Sequence, residues 1–190
     1  MTRHAFALIV AAALVATGVS AAAKPDPHKP AAAKPAAAPT APVPALPSGP
    51  FDARDPSNLA ALLTSLGATT QIGARDKEGV ILKVAAPVGN FTVQFDGCNA
   101  QGRACAGVLF EAAAEAKTAT LAEVNGFNQS SFACRIFQDK GSKPHLLYST
   151  LVFAGTGRQE MGVHVNAWRG CLTDFGRFLK DPPGYLSVAP

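Results

Sequence analysis

No pair of cysteines in this 190-residue chain has the spacing of a zinc knuckle, and no C-x-x-C occurs. Paired zinc ligands normally lie two to four residues apart, whereas six residues separate Cys98 from Cys105 in FDGCNAQGRAC. The body holds only two histidines, His145 and His164, neither within five residues of a cysteine. There is no G-x-S-x-G nucleophile elbow. Gly155-x-Gly157 with Gly162 lacks both the Lys-Ser/Thr of a phosphate loop and the dinucleotide spacing. These absences remove the common hydrolase, nucleotide-binding and zinc-finger readings, so no catalytic residue, cofactor or metal ligand is assigned. No internal repeat is visible.

Basic clusters are also missing from the body. Arg3, Lys24, Lys29 and Lys34 against Asp26 put +3 of the formal +4 before residue 51. The remainder of the chain is close to neutral, without the clustered Lys and Arg that a nucleic-acid binder carries. Nor is there an apolar run of the ~20 residues that a spanning helix needs. Instead MTRH precedes the apolar FALIVAAALVATGVS, and Ala21-Ala22-Ala23 supplies small residues for a peptidase. That plan predicts a secretory signal peptide over residues 1–23, with an uncleaved inner-membrane anchor as the alternative. Cleavage would leave a periplasmic chain with no stable membrane insertion.

From Lys24 to Pro50 the chain is almost entirely Ala, Pro and Lys. Such a segment buries too little apolar surface to offset its ordering entropy, so residues 24–50 are expected to be a disordered linker. His28 within it receives no role. A single domain is expected over residues 51–190.

In that domain Asp55 and Pro56 signal a helix start, Leu59, Leu62, Leu63 and Leu66 recur at helical spacing, and Gly67 ends the run. Strand-like runs flank an Asp76-Lys77-Glu78-Gly79 turn. VILKVAA follows, then Phe91, Val93 and Phe95 alternating with Thr92 and Gln94. AGVLFEAA reads as a strand passing into a helical turn. Thr120 and Glu123 form a capping box before Leu121, Val124 and Phe127. Phe132, Cys134 and Ile136 alternate, and HLLYSTLVF reads as a further strand. Thr156 with Gln159 reads as a second capping box. It opens a long helix striped by Met161, Val165, Trp168, Leu172, Phe175 and Leu179, ended by Pro182-Pro183. The resulting order, α-β-β-β-α-β-β-α, predicts an α+β fold with helices packed on one antiparallel sheet.

Four cysteines in an exported body favour disulfides. Cys98 and Cys105 flank a turn between strand-like runs, where opposed residues come close enough to bridge. Asp96 beside them works against a reactive thiolate. Cys134 is then left for Cys171, which borders the apolar stripe of the last helix. The alternatives are buried free thiols at Cys134 and Cys171, and thiol-redox or metal handling by Cys98 and Cys105. His164 flanks the stripe and reads as a partly buried core residue. Asn90-Phe91-Thr92 and Asn128-Gln129-Ser130 match the glycosylation pattern, which is common by chance.

GVILKVAAPVGNFTVQFDGC, LAEVNGFNQSSFACRIFQD and HLLYSTLVFAGTGRQEMGVHVNAWRGCLTDFGRFL together resemble the bacterial YbjN-like proteins, a family of sensory transduction regulators. The V-N-x-[FW]-N element, Val124 to Asn128, carries most of the likeness, which spans residues 55 to 180. The resemblance implies a fold like the type III secretion chaperones and a non-enzymatic, protein-binding or regulatory role. It also implies an unidentified protein partner, admits a homodimer, and supplies no catalytic residues. The leader and linker depart from the family pattern and argue against a direct role in cytosolic gene regulation.

Overall fold

In α1 (Pro56–Ser65) the Asp55 carboxylate accepts from the Ser57 N–H at 2.9 Å, and Pro56 occupies the first turn, where no donor is needed. The helix stops at Gly67, whose φ of +88° suits glycine. There Gly67 N–H bonds Thr64 O and Ala68 N–H bonds Leu63 O, closing a Schellman motif. The face thus fixed buries Leu59, Leu62 and Leu63.

The computed structural model describes residues 49–75, 79–116 and 119–189, all within one unit, Pro42–Pro190. The expected leader and nearly all of the linker lie outside them, as does the turn at Asp76, Lys77 and Glu78. The remaining elements are β1 (Thr69–Arg75), β2 (Gly79–Ala86), β3 (Gly89–Asp96), β4 (Gly107–Ala113), α2 (Leu121–Ser130), β5 (Arg135–Gln138), β6 (Pro144–Leu151), α3 (Arg158–Lys180) and α4 (Pro182–Val188). The six strands form one antiparallel sheet in the order β1-β2-β3-β4-β6-β5. This is the α+β class read from the sequence. Its element order differs in two places: four strands precede the middle helix, and a short helix follows the long one.

Both differences have local causes. Gly107–Ala113 stays extended throughout because Val108, Phe110 and Ala112 alternate into the core, with no helical turn. Pro182 and Pro183, read as a terminator, also open α4, where the Asp181 carboxylate accepts from the Gly184 N–H at 3.1 Å. The Thr156 capping box does not form. Gly157 is the N-cap and makes no side-chain cap, while the buried Thr156 hydroxyl accepts from Phe153 N–H at 3.0 Å within the preceding turn. The Thr120–Glu123 box does form.

One face of the sheet carries Val80, Leu82 and Val84 of β2, Phe91, Val93 and Phe95 of β3, and Val108 and Phe110 of β4. Against it lie Met161, Val165, Trp168, Leu172 and Phe175 of α3, with Phe178 added to the expected stripe and Leu179 only partly buried. Trp168 is fully buried, its ring 5.5 Å from Phe91 and 5.6 Å from Phe110. Phe127 of α2 stacks on Tyr185 and meets Phe178 at a tilt, and Phe178 meets Tyr185 edge-on, so α2, α3 and α4 share one aromatic cluster.

Candidate functional site

Strand alternation puts the other half of these side chains on the opposite face, and no described helix covers it. Cross-strand register arranges that face in rows. Gln71 pairs with Lys83, Lys83 with Thr92, Thr92 with Glu111 and Glu111 with Leu147. The neighbouring row carries Thr69, Ala85 and Asn90, and Ala113 lies two residues along β4 from Glu111. Long polar side chains in one row stand beside small ones in the next. Between them lies a solvent-open hollow of about 580 Å³, lined by these residues. Its walls offer hydroxyls, amides, one ammonium and one carboxylate.

The charged groups at the β5–β6 end are engaged with one another. His145 Nδ1 lies 2.7 Å from Glu111 Oε1, and its Nε2 lies 3.5 Å from Asp139 Oδ2. The ring stacks on Phe137 at 4.7 Å. The Asp139 carboxyl is held below its ordinary range, first by the hydrogen bond from Lys143 N–H, then by Gly141 N–H and by His145. On the helix-covered face His164 Nδ1 meets the Tyr148 hydroxyl at 2.7 Å, as expected of a partly buried histidine. Burial pushes the Tyr148 phenol up. Among the described residues no group of three or more His, Cys, Asp or Glu side chains could hold a metal ion.

The four cysteines meet in two pairs. The sulfurs of Cys98 and Cys105 lie 2.10 Å apart, just beyond the Asp96–Gly107 pair that ends the β3–β4 ladder. Their Cα atoms are 3.8 Å apart, and Cys105 is fully buried. The loop between them is a chain of tight turns. Gly97, Gly102 and Ala104 have φ of 66°, 68° and 52°, and the Asn99 side chain accepts from Gln101 and Arg103 N–H. Cys134 and Cys171 place their sulfurs at 1.93 Å and their Cα atoms at 5.8 Å, joining the approach to β5 with α3. Cys134 is not on a strand with Phe132, however. β5 begins only at Arg135, and Phe132 is fully exposed on a loop. That loop is braced where Ser131 Oγ accepts from Cys134 N–H and where Arg135 donates to the Ser131 and Cys134 carbonyls.

Sequence reasoning took Asn128 only as a glycosylation match and as the end of the Val124–Asn128 element, and missed its role at the sheet edge. Its amide donates to Ile136 O at 3.0 Å and accepts from Ile136 N–H at 2.8 Å, so one side chain satisfies both outward backbone groups of an edge residue. The glycosylation reading of Asn128 thereby loses its acceptor, since the amide is engaged at both atoms. Two neighbours in the same element, Val124 and Phe127, are buried, whereas Leu121, expected on that face, is exposed. Gly126 makes room for α4, because a Cβ there would stand 3.0 Å from Leu186. The Val124–Asn128 element is therefore a joint between α2, β5 and α4. The family model YbjN, described as "Putative bacterial sensory transduction regulator", matches residues 55–180. The chain belongs to the YbjN family. No curated protein and no solved structure gives a significant match. The YbjN match takes in the whole sheet and α1 to α3, hence the open face and the α2 and β5 parts of the Asn128 joint, and stops before α4. The signal for Asn128 was in the sequence, as an asparagine one residue after a core aromatic and shortly before a strand. Its partner could not be read, because Ile136 meets it only in three dimensions.

Proposed function

We propose that this YbjN-family chain is an exported, non-enzymatic binding or regulatory module that works in the periplasm through its open sheet face and the adjoining β1 edge. The observation that carries the reading is a six-stranded sheet with one face that no described helix covers, open to another molecule. The family description supports a regulatory role. Two cysteine pairs at bonding distance are compatible with an oxidising compartment. No helix of the described residues is long and apolar enough to cross a membrane. The expected partner is a protein, and pairing with a second copy belongs to the same proposal.

Site-specific photocrosslinking in the intact envelope tests this. A crosslinker at Gln71 or Gln94, on the open side, should trap one partner, and one at Arg169, on the exposed side of α3, should not. Capture only from α3 would sink the reading. The alternative, thiol or metal handling by Cys98 and Cys105, predicts an accessible thiol in protein taken directly from the envelope, whereas the binding-module reading predicts none.

A further inference from the structure

We infer that the hollow on the open face is a site for a short zwitterionic peptide, with Lys83 taking its carboxylate and Glu111 its amine. The inference rests on the binding-module reading and names a ligand for that face. Lys83 and Glu111 stand in one cross-strand row with Thr92 between them. Adjacent strands lie about 4.8 Å apart, so the two residues are roughly 10 Å apart at the backbone. That matches the length of an extended tripeptide at about 3.4 Å per residue. A volume of about 580 Å³ holds such a ligand.

Each end of the row is held in place. The Lys83 stem lies across Gly73 of β1, where a Cβ would stand 3.1 Å from both Lys83 Cγ and Lys83 Cε. Glycine at this irregularity in the β1–β2 pairing lets the stem lie down along the β1 side, away from Glu111. Among the described residues Lys83 forms no ion pair, so its ammonium is free for an anion. At the other end Glu111 is oriented by His145 through Oε1 and keeps Oε2 for a cation. A cation site and an anion site thus face the two ends of one hollow, and Thr92, Asn90 and Gln71 supply hydrogen bonds for a peptide backbone between them. Nothing in the lining is aromatic except Phe91, which belongs to the core, so a ring-stacking ligand such as a sugar or base fits less well.

Calorimetric titration of the full chain with trialanine, N-acetyl-trialanine and trialaninamide tests the assignment. Trialanine should bind, and blocking either terminus should weaken binding about tenfold or more. Lys83→Gln should weaken trialanine but leave trialaninamide unchanged. Glu111→Gln should weaken trialanine but leave the N-acetyl peptide unchanged. Lys83 is exposed, so its replacement leaves folding intact and keeps the test decisive. No heat at about 10 mM, or equal binding of all three peptides, overturns the assignment. If trialanine fails while a crosslinker at Gln94 still traps a protein, only the ligand assignment falls. If both fail, the binding-module reading falls with it.

Discussion

The two edges of the sheet are built in opposite ways. β5 is four residues long, and Asn128 occupies both outward backbone groups of Ile136. Its approach is pinned to α3 through Cys134 and Cys171. β1 is seven residues long, and among the described residues no side chain occupies its outward backbone groups. Its defence is the irregularity between Ile72 and Ala74, which twists an edge away from neighbours. Ile72 is nonetheless 62 % exposed. An unpaired edge is a template for another strand, so proteins seal the edges they do not use. The molecule seals the side where α2 meets β5 and leaves open the side bordering the hollow. This asymmetry leaves β1 as the edge on which an extended ligand or partner can add a strand beside the open face.

The strongest way to break the comparison is to loosen the sealed side. In the oxidised protein, Cys134→Ser with Cys171→Ser releases a loop spanning a sequence separation of 37. On the chain-entropy model that costs about 4 kcal/mol, read as a lower urea midpoint with a somewhat steeper slope, because the freed unfolded chain exposes more surface. Asn128→Ala should come next, at roughly 1–3 kcal/mol, because both Ile136 groups lose their partner. It should also make the protein self-associate in light scattering, since a second edge is then open. If Asn128→Ala destabilises without any self-association, the amide acts as a packing link and not as a seal.

Opening and closing the other edge should do the reverse. Ile72→Lys places a charge on β1, a common device against strand addition. As a surface change it should move stability by no more than about 0.5 kcal/mol. It should, however, abolish crosslinking from Gln71 and leave any from Gln94 reduced. Unchanged capture from Gln71 would show that partners reach the face without using β1.

How far the sequence foretold this depends on the range of each interaction. α1 and α2 were legible because their caps are local: Asp55 bonds Ser57, and Thr120 bonds Glu123. β2 and β3 were legible because they are central strands with one buried face, which imposes strict alternation, and β4 was legible except for the helical turn expected at its end. The third cap misled because Thr156 had two local partners to choose from and bonds Phe153. Phe132 misled because a hydrophobic residue two before Cys134 looks like the same strand face, although the loop brace turns it outward. Cys98 and Cys105 were legible from the turn they flank, which left Cys134 for Cys171 with buried free thiols as the alternative; the sulfurs meet in those two pairs. The hollow was not legible, since it depends on the register that sets Lys83, Thr92 and Glu111 in one row.

The smallest effect concerns the hairpin beside the sealed edge. Lys143 and Gly141 N–H groups and His145 hold the Asp139 carboxylate ionised in the folded chain, below its ordinary 3.8. A depressed folded value means that the unfolded chain binds the proton first as pH falls. The stabilisation is therefore complete above about pH 5, shrinks as pH drops through the unfolded value, and is lost once the folded carboxyl is protonated too. Asp139→Asn, which resembles the protonated carboxyl, should lower the plateau above about pH 5 slightly and converge with the parent in acid, so the acid limb is flatter; the change is small because the group is exposed and water screens it. The β1 edge has no described counterpart of this carboxylate, so the flattening should be absent from Ile72→Lys. If Ile72→Lys alters the acid limb as much as Asp139→Asn does, the two edges are not independent, and the contrast between a sealed and an open side fails.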